Sequence, residues 1–180
     1  MRELVRYRAK LVAWRSGLKA SVHAVLAKQG VHIAVSDLFG VGGRELLARA
    51  PLDGAYRGRV SSLCRLIDAV DFEIDAVAGP IRARLSGNAG YTAIQAIRGV
   101  GPVLAAVFVA EIGEVDRFLG PAQLASWAGL TPRHRASDLV VHRGRVTKPG
   151  STLERWAAVE AAHGVPHTAG WLNFHPRPHR

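Results

Sequence analysis

The chain has 180 residues, 48% of them hydrophobic, and its 24 lysines and arginines against 14 acidic residues give a net charge of +10. The apolar content excludes an intrinsically disordered chain, and the length allows one domain with a core or two small units. The positive charge favours a polyanionic partner, so nucleic acid and an anionic membrane are the two candidates. The single cysteine, Cys64, excludes an internal disulfide, and a reducing cytoplasm fits this composition.

The distribution of apolar residues argues against a membrane partner. The most apolar window, residues 100–112, is too short to span a bilayer and contains Gly101, Pro102 and Glu111. The first six residues, Met-Arg-Glu-Leu-Val-Arg, lead into a charged helix rather than an apolar core, so no signal peptide is expected. These features predict a cytoplasmic protein without a membrane partner.

Residues 2–29 are predicted to form one long helix. An apolar stripe with a seven-residue repeat runs along it and consists of Leu4, Tyr7, Leu11, Trp14, Leu18 and Val25. The remaining surface carries seven lysines and arginines against one acid, Glu3. This face is either an ordinary solvated surface or a contact for a polyanion, because it lacks the acids needed for offsetting i,i+4 pairs.

A glycine-rich segment and a second long helix follow. Residues 30–54 are interrupted by glycine and proline, with a short helix predicted at about residues 44–49. Residues 55–85 form a helix whose apolar positions are spaced alternately by three and four, which is the pattern of a coiled-coil seam. Gly79-Pro80 is expected to kink or break it. The two long helices can pair within the chain as an antiparallel hairpin or with another copy, and we expect some homo-oligomer to form.

A compact unit is predicted after the linker at residues 86–90. A helix at residues 121–128 begins at a proline, two short strands at residues 139–142 and 144–147 could form a hairpin, and residues 151–162 form the last helix. The fold class is therefore mainly α, with two long coiled-coil helices and then a helical domain containing a helix–hairpin–helix and a small β-hairpin. The predicted domains are residues 1–86, residues 87–163 and an irregular tail at residues 164–180.

The pattern of residues 94–109 is that of a helix–hairpin–helix. Gly99 and Gly101 bracket Val100 in a tight turn, and glycines there permit unusual backbone dihedrals and close approach of an anion. A second helix begins at the turn, so its positive dipole end points to the same place. We predict that Arg98, Gly99, Val100 and Gly101 contact the phosphate backbone of DNA without reading its sequence. An ordinary glycine-containing helix turn is the alternative.

A second motif combines a serine with a cluster of cations. Arg143, Arg145 and Lys148 precede Ser151, which opens a helix containing Arg155. The positive helix end and nearby cations could stabilise a serine alkoxide and an attacked phosphate, so these four cations are predicted to bind DNA. The sequence from Ser151 to Glu154 also fits a capping box, in which the serine only caps the helix. Capping and catalysis are compatible, because a cap fixes the position of the hydroxyl.

Residues 94–162 and the first helix resemble the C-terminal part of a DEDD transposase of the IS one-ten family, the bridge-RNA-guided recombinases. The stretches that carry the resemblance are residues 97–101 (Ile-Arg-Gly-Val-Gly), 110–113 (Ala-Glu-Ile-Gly), 117–118 (Arg-Phe), 123–132 (Gln-Leu-Ala-Ser-Trp-Ala-Gly-Leu-Thr-Pro) and 144–151 (Gly-Arg-Val-Thr-Lys-Pro-Gly-Ser). The resemblance implies cleavage and exchange of insertion-sequence DNA, with Ser151 as the nucleophile that holds a covalent phosphoserine link. It also implies a guide RNA as a candidate partner and a divalent metal bound by an acidic RuvC-like domain.

The chain departs from this family in three respects. The RuvC-like domain is missing, Glu154 stands where relatives commonly have leucine, and the resemblance ends after Ala162. The chain therefore resembles a copy truncated at both ends, and we expect no metal site and no cofactor in it. His163 and His167 have helical i,i+4 spacing, but Gly164 and Pro166 lie between them.

The sequence thus predicts a DNA-binding fragment of a transposase, inactive alone because its metal domain is missing. In this interpretation, the hairpin and Ser151 form the clamp of one recombinase active site. The alternative is a non-catalytic nucleic-acid-binding module that dimerises through its coiled coil. Replacing Ser151 distinguishes the two, because a pure binding module would lose no function.

Overall fold

The computed structural model describes residues 1–137 and 140–165, with the side chains of residues 133–143 outside that description. The chain is mainly helical, as predicted. In chain order its elements are α1 (Arg2–Lys28), α2 (Val41–Arg49), α3 (Gly54–Leu85), α4 (Ala89–Ile94), α5 (Pro102–Ile112), a 3-10 turn (Val115–Arg117), α6 (Pro121–Trp127), β1 (Pro132–Ser137), β2 (Val140–Val146) and α7 (Thr152–His163). None of the described helices is long and apolar enough to cross a membrane.

The chain divides into two compact units. One unit is formed by Tyr7–Pro80, and the other by Met1–Arg6 together with the described residues from Ile81 onward. This division differs from the predicted boundary at residues 86/87, which followed the composition of the linker. The structure instead groups the last turn of α3 and the first residues of α1 with the following helices. The predicted irregular tail lies outside the described residues, apart from Gly164 and Val165.

In the first unit, α1 and α3 run antiparallel. Val22 and Leu26, late in α1, share one buried cluster with Val60 and Ile67, early in α3. Toward the other end, Arg15 of α1 donates to Asp71 of α3 over 2.8 Å. The pairing of the long helices within one chain is the antiparallel hairpin that the sequence offered as one alternative. Because this pairing uses the seam, the same residues are not free to join a second copy.

The buried positions of α3 keep a seven-residue spacing on both sides of Pro80. The buried positions recur every seven residues and are Val60, Ile67, Ile74 and Ile81. The predicted break is wrong, because α3 continues through Pro80 to Leu85. Proline removes one helical hydrogen bond, and burial of apolar side chains on both sides of it offsets that loss.

The apolar stripe predicted on α1 is only partly buried. Leu11 and Val25 are in the core, but Tyr7 is 41% exposed and Trp14 is 50% exposed. The other buried positions of α1 include Val22, which lies four positions after Leu18. Tyr7 and Trp14 instead lie three positions after the leucines that precede them in the stripe. Trp14 is covered on one face by the ammonium group of Lys10, 5.2 Å from its ring.

In the second unit, α5 and α7 pack directly against each other. Small residues at the contact, including Ala105 of α5 and Ala157 of α7, are fully buried and let the two backbones approach closely. The β-hairpin is present as an antiparallel pair of β1 and β2. Its strands are misplaced in the prediction, because residues 140–142 and 144–146 lie together in β2, and residue 139 lies outside the described residues. The sequence of β1 is polar and lacks the alternation of apolar and polar residues typical of a half-buried strand. Its pattern therefore did not indicate that it pairs with β2.

The core of the first unit depends on Ile67, which is fully buried, next to Leu66, which is 49% exposed. We expect Ile67→Ala to lower the free energy of unfolding by about 2–5 kcal/mol, because it leaves a cavity in the seam. The adjacent Leu66→Ala should change it by less than about 0.5 kcal/mol. Urea unfolding of the two variants checks this, and equal losses would contradict the assigned seam.

Candidate nucleic-acid interface and its serine

The turn before α5 differs from the predicted helix–hairpin–helix, because the preceding helix has six residues and ends before the turn. The helix α4 ends at Ile94, and Ile97 is 56% exposed. Val100 is 7% exposed and its N–H donates to the carbonyl of Ile97 over 3.0 Å. Val100 therefore anchors the turn in the core, and neither its side chain nor its N–H is free for phosphate.

Gly99 is required by packing within the chain. Its φ of +88° is in the left-handed region, and a β carbon there would collide with the carbonyl oxygen of Ala161 near the end of α7. Gly101 differs, because a β carbon there would meet open space. Gly101 caps the start of α5, followed by Pro102, and Arg98 beside it is exposed. The open approach at this turn therefore lies at Arg98 and Gly101.

The segment that leads to the serine is held tightly against the end of α6. We call residues 147–151 the serine loop. A β carbon on Gly150, whose φ is +80°, would collide with the carbonyl oxygen of Trp127. The N–H of Lys148 donates to the carbonyl of Gly129 over 3.2 Å, and Lys148 itself has a φ of +59°. A non-glycine residue in that conformation is strained, so the contacts with the surrounding backbone must hold the loop in this shape.

Ser151 is the N-cap of α7, as one of the two sequence interpretations predicted. Its hydroxyl oxygen accepts a hydrogen bond from the N–H of Glu154 over 3.3 Å, and its side chain is half-buried. Arg155, predicted to bind DNA, has another role in the structure. Its guanidinium donates to the carbonyls of Ala128, Pro149 and Gly150 and to the hydroxyl of Thr152, so it fixes the serine loop.

Of the other predicted cations, Arg145 and Lys148 are exposed at the end of β2 and in the serine loop. Arg143 lies on β2, paired in register with His134, and its side chain is outside the described set. Arg145 and Lys148 therefore remain available at the surface near Ser151.

A buried carboxylate that the sequence did not single out lies beside the serine. Glu111, in the last turn of α5, is 2% exposed. Arg6 of α1 binds it with a two-pronged contact, Nε to Oε1 over 2.8 Å and Nη2 to Oε2 over 2.9 Å. Arg2 donates to the backbone carbonyls of Ala110 and Glu111 over 3.0 and 3.2 Å, which caps the end of α5.

The surroundings of Glu111 favour its ionised form. The Arg6 guanidinium holds the pKa of the Glu111 carboxyl below its usual value, against a burial that would raise it. A smaller contribution from Ser151 lowers this pKa in the same direction. Glu111 is therefore a buried carboxylate held by Arg6.

The carboxyl of Glu154 is also buried, but its pKa is shifted in the opposite direction from that of Glu111. Glu154 is 3% exposed, and within the described part of the chain its Oε2 has no hydrogen-bond partner. Burial raises the pKa of Glu154, and the negative charge of Glu111 raises it further. The positive charges of Arg155 and Arg117 act in the other direction.

An aromatic and cationic cluster lies next to the serine loop. The guanidinium of Arg117 stacks over the rings of Phe118 and Trp127, at 4.5 and 4.7 Å. With Gln123 and Ser126 these residues line an open cleft of about 400 Å³. The signal that could have identified it is the arginine–phenylalanine pair preceding a helix that ends in tryptophan.

The structure does not bring the hairpin turn and Ser151 together. Gly99 lies against Ala161 near the end of α7, whereas Ser151 caps the start of that helix. Ten residues of helix separate these positions by about 15 Å, so the predicted single clamp is wrong. Glu111 lies at the other end of α5 from this turn. Among the described residues, no cluster of three or more histidine, cysteine or acidic side chains could hold a metal ion.

Residues 91–174 match the model of the Transposase IS116/IS110/IS902 family. The chain is also similar to two transposases. A protein named a family 20 transposase of Pseudomonas aeruginosa is 27% identical over 64% of this chain and 34% of its own length. A protein named as the transposase y4qE of Sinorhizobium fredii is 37% identical over 39% of this chain and 18% of its own length. The chain thus spans about a third or less of these relatives. This part of the chain is therefore similar to transposases of that family.

The raised pKa of Glu154 predicts a dependence of stability on pH. The folded chain holds this proton more tightly than the unfolded chain, so the stabilisation is complete below the ordinary carboxyl pKa and is lost as pH rises through the raised value. Glu154→Gln keeps a neutral side chain of the same size. At neutral pH its Tm should exceed that of the parent chain by about 2–4 °C, as expected from relieving a charge buried without a partner.

Thermal unfolding measured by circular dichroism between about pH 4 and about pH 8 checks this prediction. The advantage of Glu154→Gln should disappear at the acid end, where Glu154 is protonated in both states. Glu160→Gln, on the exposed face of the same helix, is the matched control and should shift Tm little. A gain that is equal at every pH would contradict the raised pKa.

Proposed function

We propose that this chain is the nucleic-acid-binding and serine-bearing part of an IS110-type transposase. In this proposal, Ser151 attacks a DNA phosphodiester and holds the cut strand as a phosphoserine. The observation that carries it is the placement of Ser151 at the N-terminus of α7, half-buried at the end of a loop that Arg155 holds in place. The similarity of residues 91–174 to the transposase family supports the same chemistry.

Binding is assigned to two exposed surfaces of one unit. The first is the turn at Arg98 and Gly101, where the N-terminus of α5 is open to an anion. The second consists of Arg145 and Lys148 beside the serine, with Arg117 stacked on its aromatic rings nearby. Contacts of this kind bind the phosphate backbone of DNA and carry no sequence information. The turn then anchors the DNA about 15 Å from the reactive serine.

The chemistry of cleavage follows from the position of the serine. The N–H groups at the start of α7 and its dipole favour the negative charge that develops on an attacked phosphate. Arg145 and Lys148 add positive charge on the open side. We propose that strand cleavage also needs an acidic metal-binding domain from a complete partner, so that the chain alone binds DNA without cutting it.

A guide RNA is a further proposed partner. The support for it is the basic surface of α1, although part of that surface is used within the chain. Arg6 pairs with Glu111 and Arg15 pairs with Asp71, which leaves cations such as Lys10 exposed for a polyanion.

Binding through phosphates predicts a steep dependence on salt. The logarithm of the association constant should fall linearly with the logarithm of salt concentration, by about 0.9 for each phosphate neutralised. Arg98→Gln and Arg145→Gln should each reduce this slope by about one. Arg65→Gln removes the same charge from the other unit, on α3, and should change the slope less. Fluorescence anisotropy with a labelled duplex gives these slopes, and an affinity indifferent to salt would contradict the proposal.

The serine proposal predicts a covalent adduct. When the chain is mixed with a full-length transposase of this family and substrate DNA, mass spectrometry should find a nucleotide linked to Ser151. Ser151→Ala should abolish the adduct and retain DNA binding, while Ser86→Ala, which changes an exposed serine after α3, should retain both. Cutting by the purified chain alone would contradict its dependence on a partner. No adduct with the partner, and no loss on replacing Ser151, would favour a non-catalytic binding module.

A further inference from the structure

The open cleft beside the serine loop is lined by groups that recognise flat ligands with polar edges. Its lining residues are Arg117, Phe118, Gln123, Ser126 and Trp127, and we call it the aromatic cleft. Its volume of about 400 Å³ is within the range of about 300–1,000 Å³ that is typical of sites for small molecules. The cleft is therefore large enough to receive a single planar group such as a nucleobase.

One side of the cleft is a cation that lies over two aromatic rings. The rings of Phe118 and Trp127 have centroids 5.3 Å apart and are tilted by 58°. The guanidinium of Arg117 is 4.5 and 4.7 Å from these centroids, and its Nη2 donates to the carbonyl of Ile112 over 3.1 Å. These contacts hold a planar cation in a side chain that is still exposed. Guanidinium planes and aromatic rings are the surfaces on which proteins stack unpaired bases.

The polar groups of the cleft suit the edge of a base. The amide oxygen of Gln123 accepts the N–H of Leu119 over 2.7 Å, which orients the amide. Within the described residues, the two N–H donors of this amide have no partner, so they can bind a ligand. Carbonyl oxygens and ring nitrogens on the edges of bases are acceptors that match such donors. Ser126 is also exposed and adds a hydroxyl that can donate or accept.

We propose that the aromatic cleft binds one unpaired nucleobase of the nucleic acid held by this unit. The inference rests on the proposed function and deepens it, because it adds a contact with a base to surfaces assigned so far to phosphate. The net charge of +10 and the exposed Arg145 and Lys148 favour a ligand that carries phosphates beside its planar group. Single-stranded DNA and single-stranded RNA both offer this chemistry.

The aromatic cleft and the serine are joined by contacts between their backbones. A β carbon on Gly150, the residue before Ser151, would collide with the carbonyl oxygen of Trp127. Arg155 bridges the same two segments, since its Nη1 donates to the carbonyls of Ala128 and Gly150. A strand whose phosphate reaches Ser151 therefore passes close to the cleft, where a neighbouring base can enter.

An exposed leucine borders the cleft. Leu119 is 97% exposed and directly follows Phe118, and its N–H is held by Gln123. Val115, two residues before Arg117, is 57% exposed. Proteins that open a base step commonly insert an apolar side chain such as leucine between the bases. Leu119 can therefore separate a base from its neighbour at the cleft, which an unpaired base requires.

The test compares the binding of single strands with and without bases. The probe is a labelled strand of about 12 thymidine nucleotides, and its matched partner has the same phosphates but abasic sugars at the central positions. Fluorescence anisotropy gives both dissociation constants for the full chain. We expect the chain to bind the intact strand at least about fivefold more tightly, the change that stacking of one base produces.

Replacing Arg117 by lysine separates stacking from charge, because lysine keeps the positive charge but has no plane on which a base stacks. Arg117→Lys should weaken binding of the intact strand about fivefold or more. The affinity for the abasic strand and the salt dependence should stay as in the parent chain. Arg82→Lys, which changes an exposed arginine of the same unit, is the matched control and should bind like the parent.

Two further probes identify the source of the base. A strand of uridine nucleotides of the same length shows whether the base-dependent preference is larger for RNA or for DNA, and either preference supports an unpaired base. A duplex of the thymidine strand with its complement has no unpaired base, so Arg117→Lys should leave its affinity unchanged. An equal loss for the duplex and the single strand would overturn the proposal.

The failure of the cleft is distinguishable from the failure of the proposed function. Equal affinity of the parent chain for the intact and abasic strands would overturn the base site, and so would an equal loss for both strands in Arg117→Lys. Steep salt dependence in these cases would still support binding of phosphates. Absence of salt-dependent binding to every probe would contradict the proposed function and the base site together.

Discussion

The ion pair between Arg6 and Glu111 constrains the arrangement around the serine. It buries a carboxylate that would be costly without a partner and joins the start of α1 to the end of α5. Since α5 packs along α7, fixing the end of α5 also fixes what faces Ser151. Arg2 strengthens the same junction by capping the last carbonyls of α5. One contact thus serves both the packing of this unit and the electrostatics of its candidate nucleophile.

Because α5 and α7 pair antiparallel, the candidate phosphate-binding turn and the serine loop lie at opposite ends of their contact. At one end, Gly99 packs against Ala161, whereas Arg98 and Gly101 are exposed to solvent. At the other end, the serine loop, Glu111 and Glu154 form a site in which reactive groups are held rigidly. A motif that the sequence interpreted wholly as a phosphate clamp is therefore partly structural, because its first glycine is explained without any ligand.

The sequence predicted what depends on local pattern and missed what depends on distant contacts. The long helices, the start of α6 at Pro121 and the cap at Ser151 follow from periodicity and end signals, and the structure has them within a few residues. The pairing of Arg6 with Glu111 joins residues 105 positions apart, which no local pattern encodes. The prediction of a helix break at Pro80 was wrong, because burial of apolar side chains along the seam outweighs the local effect of the proline.

The central claim is that Arg6 holds the pKa of the buried Glu111 carboxyl below its ordinary value, while burial holds the pKa of Glu154 above it. Carboxyl carbon shifts in the NMR spectrum of a chain labelled at glutamate, assigned with Glu111→Gln and Glu154→Gln, report both titrations directly. The account predicts that Glu111 titrates below the ordinary glutamate value of about 4.3 and Glu154 above it. The reverse order, or two titrations at that ordinary value, would contradict it.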